Sequence, residues 1–365
     1  MECSIDNTRG YNILIPTSKS VNLFFEEIIT ESNNNFFYGS LETSIINIDA
    51  VLIHWPEELF GWKKPNHEQI QYLENTIIYW KSEGLKLFYL VNNERPHASF
   101  HTKYKKLYNI ILNKADVFIH MGKFSQQKYE SNFPNSKHEI IFHPTYNKSY
   151  KIYNKDYARK LLGFCEEKLI VLVPGQIRSL KEEKNTIAAF TSLKQKNKLL
   201  IIPRMYYRRV HLEFKGRILL KRIIDINKVI EKIINFRILR KDILLEQSFL
   251  NSRDLSLYMS ACNLIYLPRE NNLNSGMVFL AATFKKLAVG PNVGNIEEHL
   301  KNLNFIGYKA QDSKSRFIAI NKAASLINNK HWEITNVKMY SPKNFAIQWD
   351  NLCAKLFCCE RFNAC

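Results

Sequence analysis

The chain has 365 residues, 45% of them hydrophobic and 24% charged, which gives core for about two or three domains of roughly 150 residues and excludes a disordered chain. Lysine and arginine outnumber aspartate and glutamate by 52 to 34, a net charge of +18; this points to an anionic partner such as nucleic acid, nucleotide phosphate or an acidic membrane surface. Residues 1–10 carry no apolar signal core, and no stretch approaches the roughly 18 apolar residues that span a bilayer, so neither secretion by a cleaved signal nor a transmembrane chain is expected. The seven cysteines (3, 165, 262, 353, 358, 359 and 365) show no Cys-x-x-Cys pair, which supports neither a zinc site nor a disulfide framework and suits a reducing, cytoplasmic compartment.

In chain order, a short apolar, β-branched run at 12–15 is followed by one at 50–53 that ends in His54-Trp55-Pro56-Glu57. Helical spacing at 69–82 leads to a strand at 85–91 and a polar stretch at 92–97, then a helix at 102–113 and a strand at 116–121. A polar, aromatic stretch at 144–157 interrupts the alternation, and the domain boundary is placed there. A fresh strand at 169–173 opens the second half and is followed by Gly175-Gln176-Ile177-Arg178-Ser179-Leu180-Lys181. A helix at 183–194, strands at 198–202 and 263–267, a helix at 275–284 and a strand at 287–289 complete the series. Strand then helix, repeated, predicts doubly wound α/β architecture: two Rossmann-like domains, 1–150 and 151–341, facing a cleft, with 342–365 as a last helix and tail. No period of 20 to 50 residues repeats, which disfavours solenoids and propellers.

In open parallel sheets ligands bind beyond the carboxyl ends of the strands, so the residues directly after strands carry the functional expectation. Gly175 would let the chain turn closely, and Arg178 and Lys181 put two cations beside a helix start, where free N–H groups already favour anions. That describes a diphosphate clamp; the alternative is a solvated basic loop with Glu182 and Glu183 as counter-charges. Later, Ser275 reads as an N-cap, and Gly276 would let a ligand oxygen reach a helix N-terminus unobstructed. A capped helix after a loop is equally ordinary architecture. His54 and Trp55 are either functional or core residues at a strand end, with Pro56 stopping the strand.

The span 254–300, with "LSLYMSACNLIYLPRENNLNSGMVFLAATFKKLAVGPNVGNIEEHL", resembles the nucleotide-sugar half of GT-B glycosyltransferases of the family 4 type and their bacterial surface-polysaccharide relatives. Gly175, Arg178 and Lys181 resemble the residues that hold the donor diphosphate there. "IDAVLIHWPEELF", "LVNNERPH", "ADVFIHMGKFSQQKYE" and "IIFHPTYNKSY" resemble their post-strand motifs and interdomain approach. The sequence departs from the pattern where two glutamates are usual, with Asn272 and Leu280 in their places and Glu270 nearby, and where a histidine is usual, with Asn92; Asn93, Pro96 and His97 remain. The resemblance implies transfer of a sugar from a nucleoside-diphosphate sugar to a glycan or polyprenyl-diphosphate-linked acceptor, without metal or other cofactor, and a last helix that returns to the first domain. It places Gly175, Arg178, Lys181, Glu270, Asn272, Ser275, Gly276 and Glu297 around the donor, with Glu297 toward the ribose, and offers His54, Glu57 and His97 as catalytic groups on the acceptor side. Retention is favoured, because the leaving phosphate itself can take the acceptor's proton; an inverting enzyme would need one of those three as base.

Segment 204–241 holds 12 lysines or arginines against three acids, interleaved with Ile, Leu and Phe at helical spacing. A surface helix pair, an anionic membrane contact and a nucleic-acid grip all fit it, the last disfavoured because no nucleic-acid module accompanies it. A membrane contact would make the protein peripheral on the inner face. A catalytically dead α/β binding protein is the remaining reading.

Overall fold

The computed structural model describes residues 10–19, 23–93, 102–205, 242–245 and 250–361. These form two separate parallel sheets of six strands each. The first holds β1 (Asn12–Ile15), β2 (Asn35–Tyr38), β3 (Ala50–Ile53), β4 (Lys86–Leu90), β5 (Val117–His120) and β6 (Lys137–Ile140), in the order β2-β1-β3-β4-β5-β6. The second holds β7 (Leu169–Leu172), β8 (Lys198–Ile202), β9 (Ile243–Leu245), β10 (Leu264–Tyr266), β11 (Leu287–Pro291) and β12 (Ile306–Tyr308), in the order β12-β11-β10-β7-β8-β9. Counted from β7, the second sheet has the doubly wound order 3-2-1-4-5-6, whose direction reverses between β7 and β10. Parallel neighbours cannot be joined by hairpins. The described helices that serve the crossovers and flanks are α1 (Phe24–Ile29), α2 (His67–Ser82), α3 (Thr102–Lys114), α4 (Lys123–Glu130), α5 (Lys155–Leu162), α6 (Leu180–Thr191), α7 (Ser252–Ala261), α8 (Gly276–Thr283), α9 (Ile296–Asn302), α10 (Ser313–Asn328) and α11 (Pro342–Arg361). No described helix is long and apolar enough to cross a membrane.

The eight strands expected from continuous apolar runs are the eight interior strands. The four that the sequence did not announce, β2, β6, β9 and β12, are the edges of the two sheets among the described residues. An interior strand is covered on both faces and must be apolar throughout, whereas an edge strand is partly solvated and can be polar. Leu169–Leu172 is buried at every residue; Lys137–Ile140, reading Lys-His-Glu-Ile, is buried at none.

Alternation along the strands of the first sheet sends Ile13, Ile15, Leu52, Phe88 and Ile119 to one face and Leu14, Val51, Leu87 and Phe118 to the other. Helices α2 and α3 cover the second set with Leu73, Ile77, Trp80, Leu107 and Ile111. The first set is covered by α11, which places Phe345, Trp349, Leu352 and Leu356 on it. Trp349 is wholly buried, with its ring 5.4 Å from Phe36 and 6.3 Å from Phe88.

In the second domain, the wholly buried Arg159 of α5 has no carboxylate partner. Its guanidinium donates to the carbonyls of Ala261, Cys165, Glu166 and Lys168 and to Asn263 Oδ1, whose own second bond is from the Ile170 N–H. A forked donor is the side chain that can satisfy so many carbonyls at once, and it fixes α5 to the entry of β7.

The chain crosses between the domains twice, and the crossings are tied together: the Thr145 N–H and hydroxyl both donate to the Tyr340 carbonyl, at 2.7 and 3.0 Å. Beside them His143 stacks on Phe279 at 4.3 Å, donates from Nδ1 to the Pro144 carbonyl and accepts from the Tyr146 hydroxyl. His299 packs edge-on against Phe279 and meets the Tyr340 hydroxyl at 3.1 Å. On β5, His120 lies 3.0 Å from His138 and 3.2 Å from the Ser125 hydroxyl. Burial pushes all three imidazoles down, His120 and His143 to about 3 and His299 to about 4.

Two outcomes are expected. Trp349→Ala should cost about 3–5 kcal/mol of stability in denaturant unfolding; a loss below about 1 kcal/mol would show that α11 is not bound to the first sheet as described. Between pH 6.5 and about 5 an unfolded histidine binds a proton and these three do not, so stability should fall as pH falls, by about 1.4 kcal/mol per pH unit for each histidine once below the unfolded pKa. Urea midpoints and the proton uptake on unfolding check this; unfolding near pH 5 without uptake of protons by these side chains would contradict it.

Candidate functional site

The carboxyl ends of β7, β8 and β10, adjacent strands at the reversal point of the second sheet, each lead into an arginine: Arg178, Arg204 and Arg269. After β7 the chain turns through Gly175 and starts α6 at Ser179, whose hydroxyl accepts the Glu182 N–H. The Glu182 carboxylate accepts the Arg178 N–H at 2.8 Å and pairs with the Arg269 guanidinium at 3.1 Å; Arg269 also donates to the Gln176 carbonyl. Arg178 reaches solvent, yet packing and the like charges of Arg269 and Arg204 hold its guanidinium below the ordinary range, with Glu182 acting in the opposite sense. Burial and Arg269 do the same to Arg204, opposed by Tyr150. Arg178, Arg204 and Arg269 thus lie close enough to act on one another, and like charges so placed favour an anion between them. Lys181 adds an exposed cation in the first turn of α6.

Gly175, Gln176, Pro268, Arg269, Asn272 and Ser275 line a pocket between these loops. Ser275 takes the extended backbone of an N-cap, but its hydroxyl makes no capping bond, so no side chain of α8 closes over the first-turn N–H groups. The two glycines here differ. Gly175 is not in the left-handed region, and a Cβ there would meet just Met277, at an ordinary 3.6 Å; the fold does not require glycine at this position. Gly276 is required by packing: a Cβ would come within 2.8 Å of the Tyr146 hydroxyl.

Two carboxylates expected beside the donor each hold a cation. Glu270 forms a buried ion pair with Arg316 at 2.6 Å, and Arg316 lies over the Tyr308 ring, so this glutamate ties the β10 loop to α10. Glu297 pairs with Lys301 at 2.7 Å, one turn along the surface of α9. Its neighbour Glu298 reaches the first domain and accepts the Lys123 N–H at 2.8 Å.

In the first domain, His54 follows β3 and is buried, its Nε2 3.1 Å from the Glu58 carboxylate and its ring edge-on to Phe25 at 4.6 Å. The carboxylate beside His54 is Glu58, a residue the sequence does not single out; the two approach as an ion pair would, without hydrogen-bond geometry. Pro56–Phe60 forms a single 3-10 turn, which turns Glu57 inward, where it is 1% exposed and accepts from the Tyr108 hydroxyl of α3 at 2.9 Å. A carboxylate so placed ties the turn to α3. His97 lies outside the described residues, as does all of segment 204–241 except Arg204 and Met205.

The carboxyl ends of the two sheets are brought face to face by Asn274 and Asn295. Asn274 donates to the carbonyls of Val91 and Asn92, just past β4, and accepts from Asn295 at 2.8 Å. The wholly buried Asn295 accepts the Ser125 N–H and donates to the Ser125 hydroxyl, both at 3.0 Å. Gly122, the N-cap of α4, makes room: a Cβ there would lie 2.9 Å from Asn295 and Glu298. The rule that placed Arg178 also covers Arg204 and Arg269, each the first cation after its strand; no local signal announces Asn274 or Asn295, because their partners lie in the other domain.

Neither the family models nor the curated proteins give a match to this sequence. Solved structures do. Anabaena HepE in complex with UDP-glucose is similar over 98% of this chain and 100% of its own, with a TM-score of 0.58 and 12% identity. Sucrose-phosphate synthase of Thermosynechococcus elongatus is similar over 86% and 74%, with a TM-score of 0.58 and 16% identity. A glycosyltransferase of Rickettsia africae is similar over 94% of each chain, with a TM-score of 0.56 and 13% identity. At these identities the likeness is one of architecture: the chain has the GT-B fold of two parallel α/β domains.

Proposed function

We propose that the protein is a glycosyltransferase that takes its sugar from a nucleoside-diphosphate donor held over the second sheet. The observation that carries this reading is the convergence of Arg178, Arg204 and Arg269 at the carboxyl ends of β7, β8 and β10, close enough for their like charges to act on one another. In transfer the charge that grows is on the departing diphosphate, and preorganised cations stabilise it more in the transition state than in the bound donor. The uncapped start of α8 adds N–H groups to the same side of the pocket. The structural neighbours include a protein in complex with UDP-glucose, which agrees in donor class.

The finer reading has the sugar pass to a glycan or lipid-linked oligosaccharide of a surface polysaccharide, with retention. A leaving diphosphate held by arginines can itself accept the acceptor's proton, so a retaining reaction needs no protein base. His54, buried beside Glu58, is then an acceptor-side positioning residue, and the cleft between the sheets keeps water from the donor.

The experiment is a panel of nucleoside-diphosphate sugars, scored by heat stabilisation and by release of nucleoside diphosphate with and without acceptor glycans. One donor class should stabilise the protein and turn over; stabilisation by none would remove the reading. Within that assay Arg178→Ala should lower turnover about 10²- to 10³-fold, as loss of a preorganised donor does. Gly175→Ala should leave stability unchanged or raise it by up to about 1 kcal/mol, while a methyl group on the pocket wall weakens donor binding. Full donor affinity in Gly175→Ala would place the diphosphate elsewhere.

A further inference from the structure

The amino-terminal end of the second sheet, opposite the arginine cluster, carries another concentration of positive charge. Just before β10 and β11 begin, a cavity of about 220 Å³ is lined by Lys155, Lys285, Lys286 and Lys330, with Leu326 and Trp332 among its apolar walls. No carboxylate lines it. Elsewhere on the chain Lys19 is paired with Glu26, Lys81 with Asp116, Lys148 with Glu31 and Lys355 with Glu139. Among the described residues none of the four cavity lysines has an acidic partner within ion-pair distance; Lys286 donates to the Ser260 carbonyl instead.

The ordinary explanation for lysines at this place is that they neutralise the carbonyl ends of α8 and α10. The backbone already does that. At the end of α8 the N–H groups of Lys285 and Lys286 close back on the carbonyls of Ala282 and Ala281, and at the end of α10 those of Lys330 and His331 close back on Ile327 and Leu326. Both are the paired bonds of a Schellman ending, which satisfy the terminal carbonyls without side chains. The same ending puts Lys285 and Lys330 in the left-handed region, with φ of 50° and 55°, where glycine or asparagine is the unstrained choice. Lysine is present at both despite this cost. Burial and the like charges of Arg159 and Lys286 hold the Lys155 ammonium below its ordinary range, opposed by Asp156.

We propose that this cavity is a second anion site, separate from the donor cleft, that takes a small molecule carrying two or more phosphate groups. Several charges close together match four ammonium groups around one space better than a single carboxylate does. The volume equals that of about seven waters at roughly 30 Å³ each, suited to a small ligand and not to a macromolecular segment. Because the site lies at the opposite end of the strands from Arg178, it does not depend on the transferase reading.

The test uses the full chain labelled with 5-fluorotryptophan, the Trp332 resonance being assigned by its absence in Trp332→Phe. Inorganic triphosphate is titrated at low salt. A saturable shift of the Trp332 resonance is expected, weakening as salt rises because exposed charges are screened. In Lys155→Gln/Lys330→Gln, two exposed positions whose replacement leaves the core untouched, the affinity should fall about tenfold or more. In Arg178→Ala it should stay within about twofold, since distant sites act independently. No shift of this resonance, a shift unaffected by the double substitution, or one abolished by Arg178→Ala would overturn the proposal.

Discussion

Two sheets that share no strand are held facing each other by the need to satisfy the start of α4. The first-turn N–H groups of that helix point at the second domain, where Asn295 and Glu298 accept from Ser125 and Lys123. A buried N–H left without a partner costs about 1–3 kcal/mol, so α4 docks against α9 or must turn to water. Asn274 extends the seam to the end of β4 through the carbonyls of Val91 and Asn92. Each of these bonds exchanges with water at a net cost of about 0.5–1.5 kcal/mol. The seam therefore specifies one closed geometry while leaving opening of the cleft energetically accessible.

That geometry decides where charge can be used. The reversal of strand order between β7 and β10 leaves a crevice at the carboxyl ends; the first cation of each loop lies there, and Arg269 lines the pocket itself. Glu182 sets the arrangement: it caps the turn that carries Arg178 and steadies Arg269, yet neutralises only part of the charge. The glutamate that the fold could have spent beside the donor, Glu270, is committed to the buried Arg316 pair. Such a pair is costly to break from one side, because the partner is left charged and buried. On the proposed reading, donor recognition rests on cations and backbone N–H groups more than on carboxylates.

The interior of the fold was legible because burial on both faces forces an unbroken apolar run: Leu169–Leu172 and Ala50–Ile53 have no other way to sit in a sheet. Lys137–Ile140 and Asn35–Tyr38 escape the same test because one side of an edge strand meets water. Arg178 was legible from its place after a strand, and Arg204 and Arg269 obey the same rule, although the charge run beyond Arg204 drew attention to a surface role. The choice between Glu57 and Glu58 was not legible: in a tight turn one residue of register decides which carboxylate meets His54 and which meets Tyr108. Asn274 and Asn295 are ordinary asparagines until the other domain is in place.

The central claim is that the arginine cluster on the second sheet is where a nucleoside diphosphate binds. Hydrogen exchange of the whole chain, measured with and without saturating UDP-glucose and then other nucleoside-diphosphate sugars, reads this residue by residue. The account predicts that one donor class slows exchange at the amides of 174–182 and 272–278, at the turn after β7 and the start of α8, while the amino-terminal ends of the strands stay unchanged. Protection confined to the first domain or to the far end of the second sheet, or no protection by any donor, would contradict it.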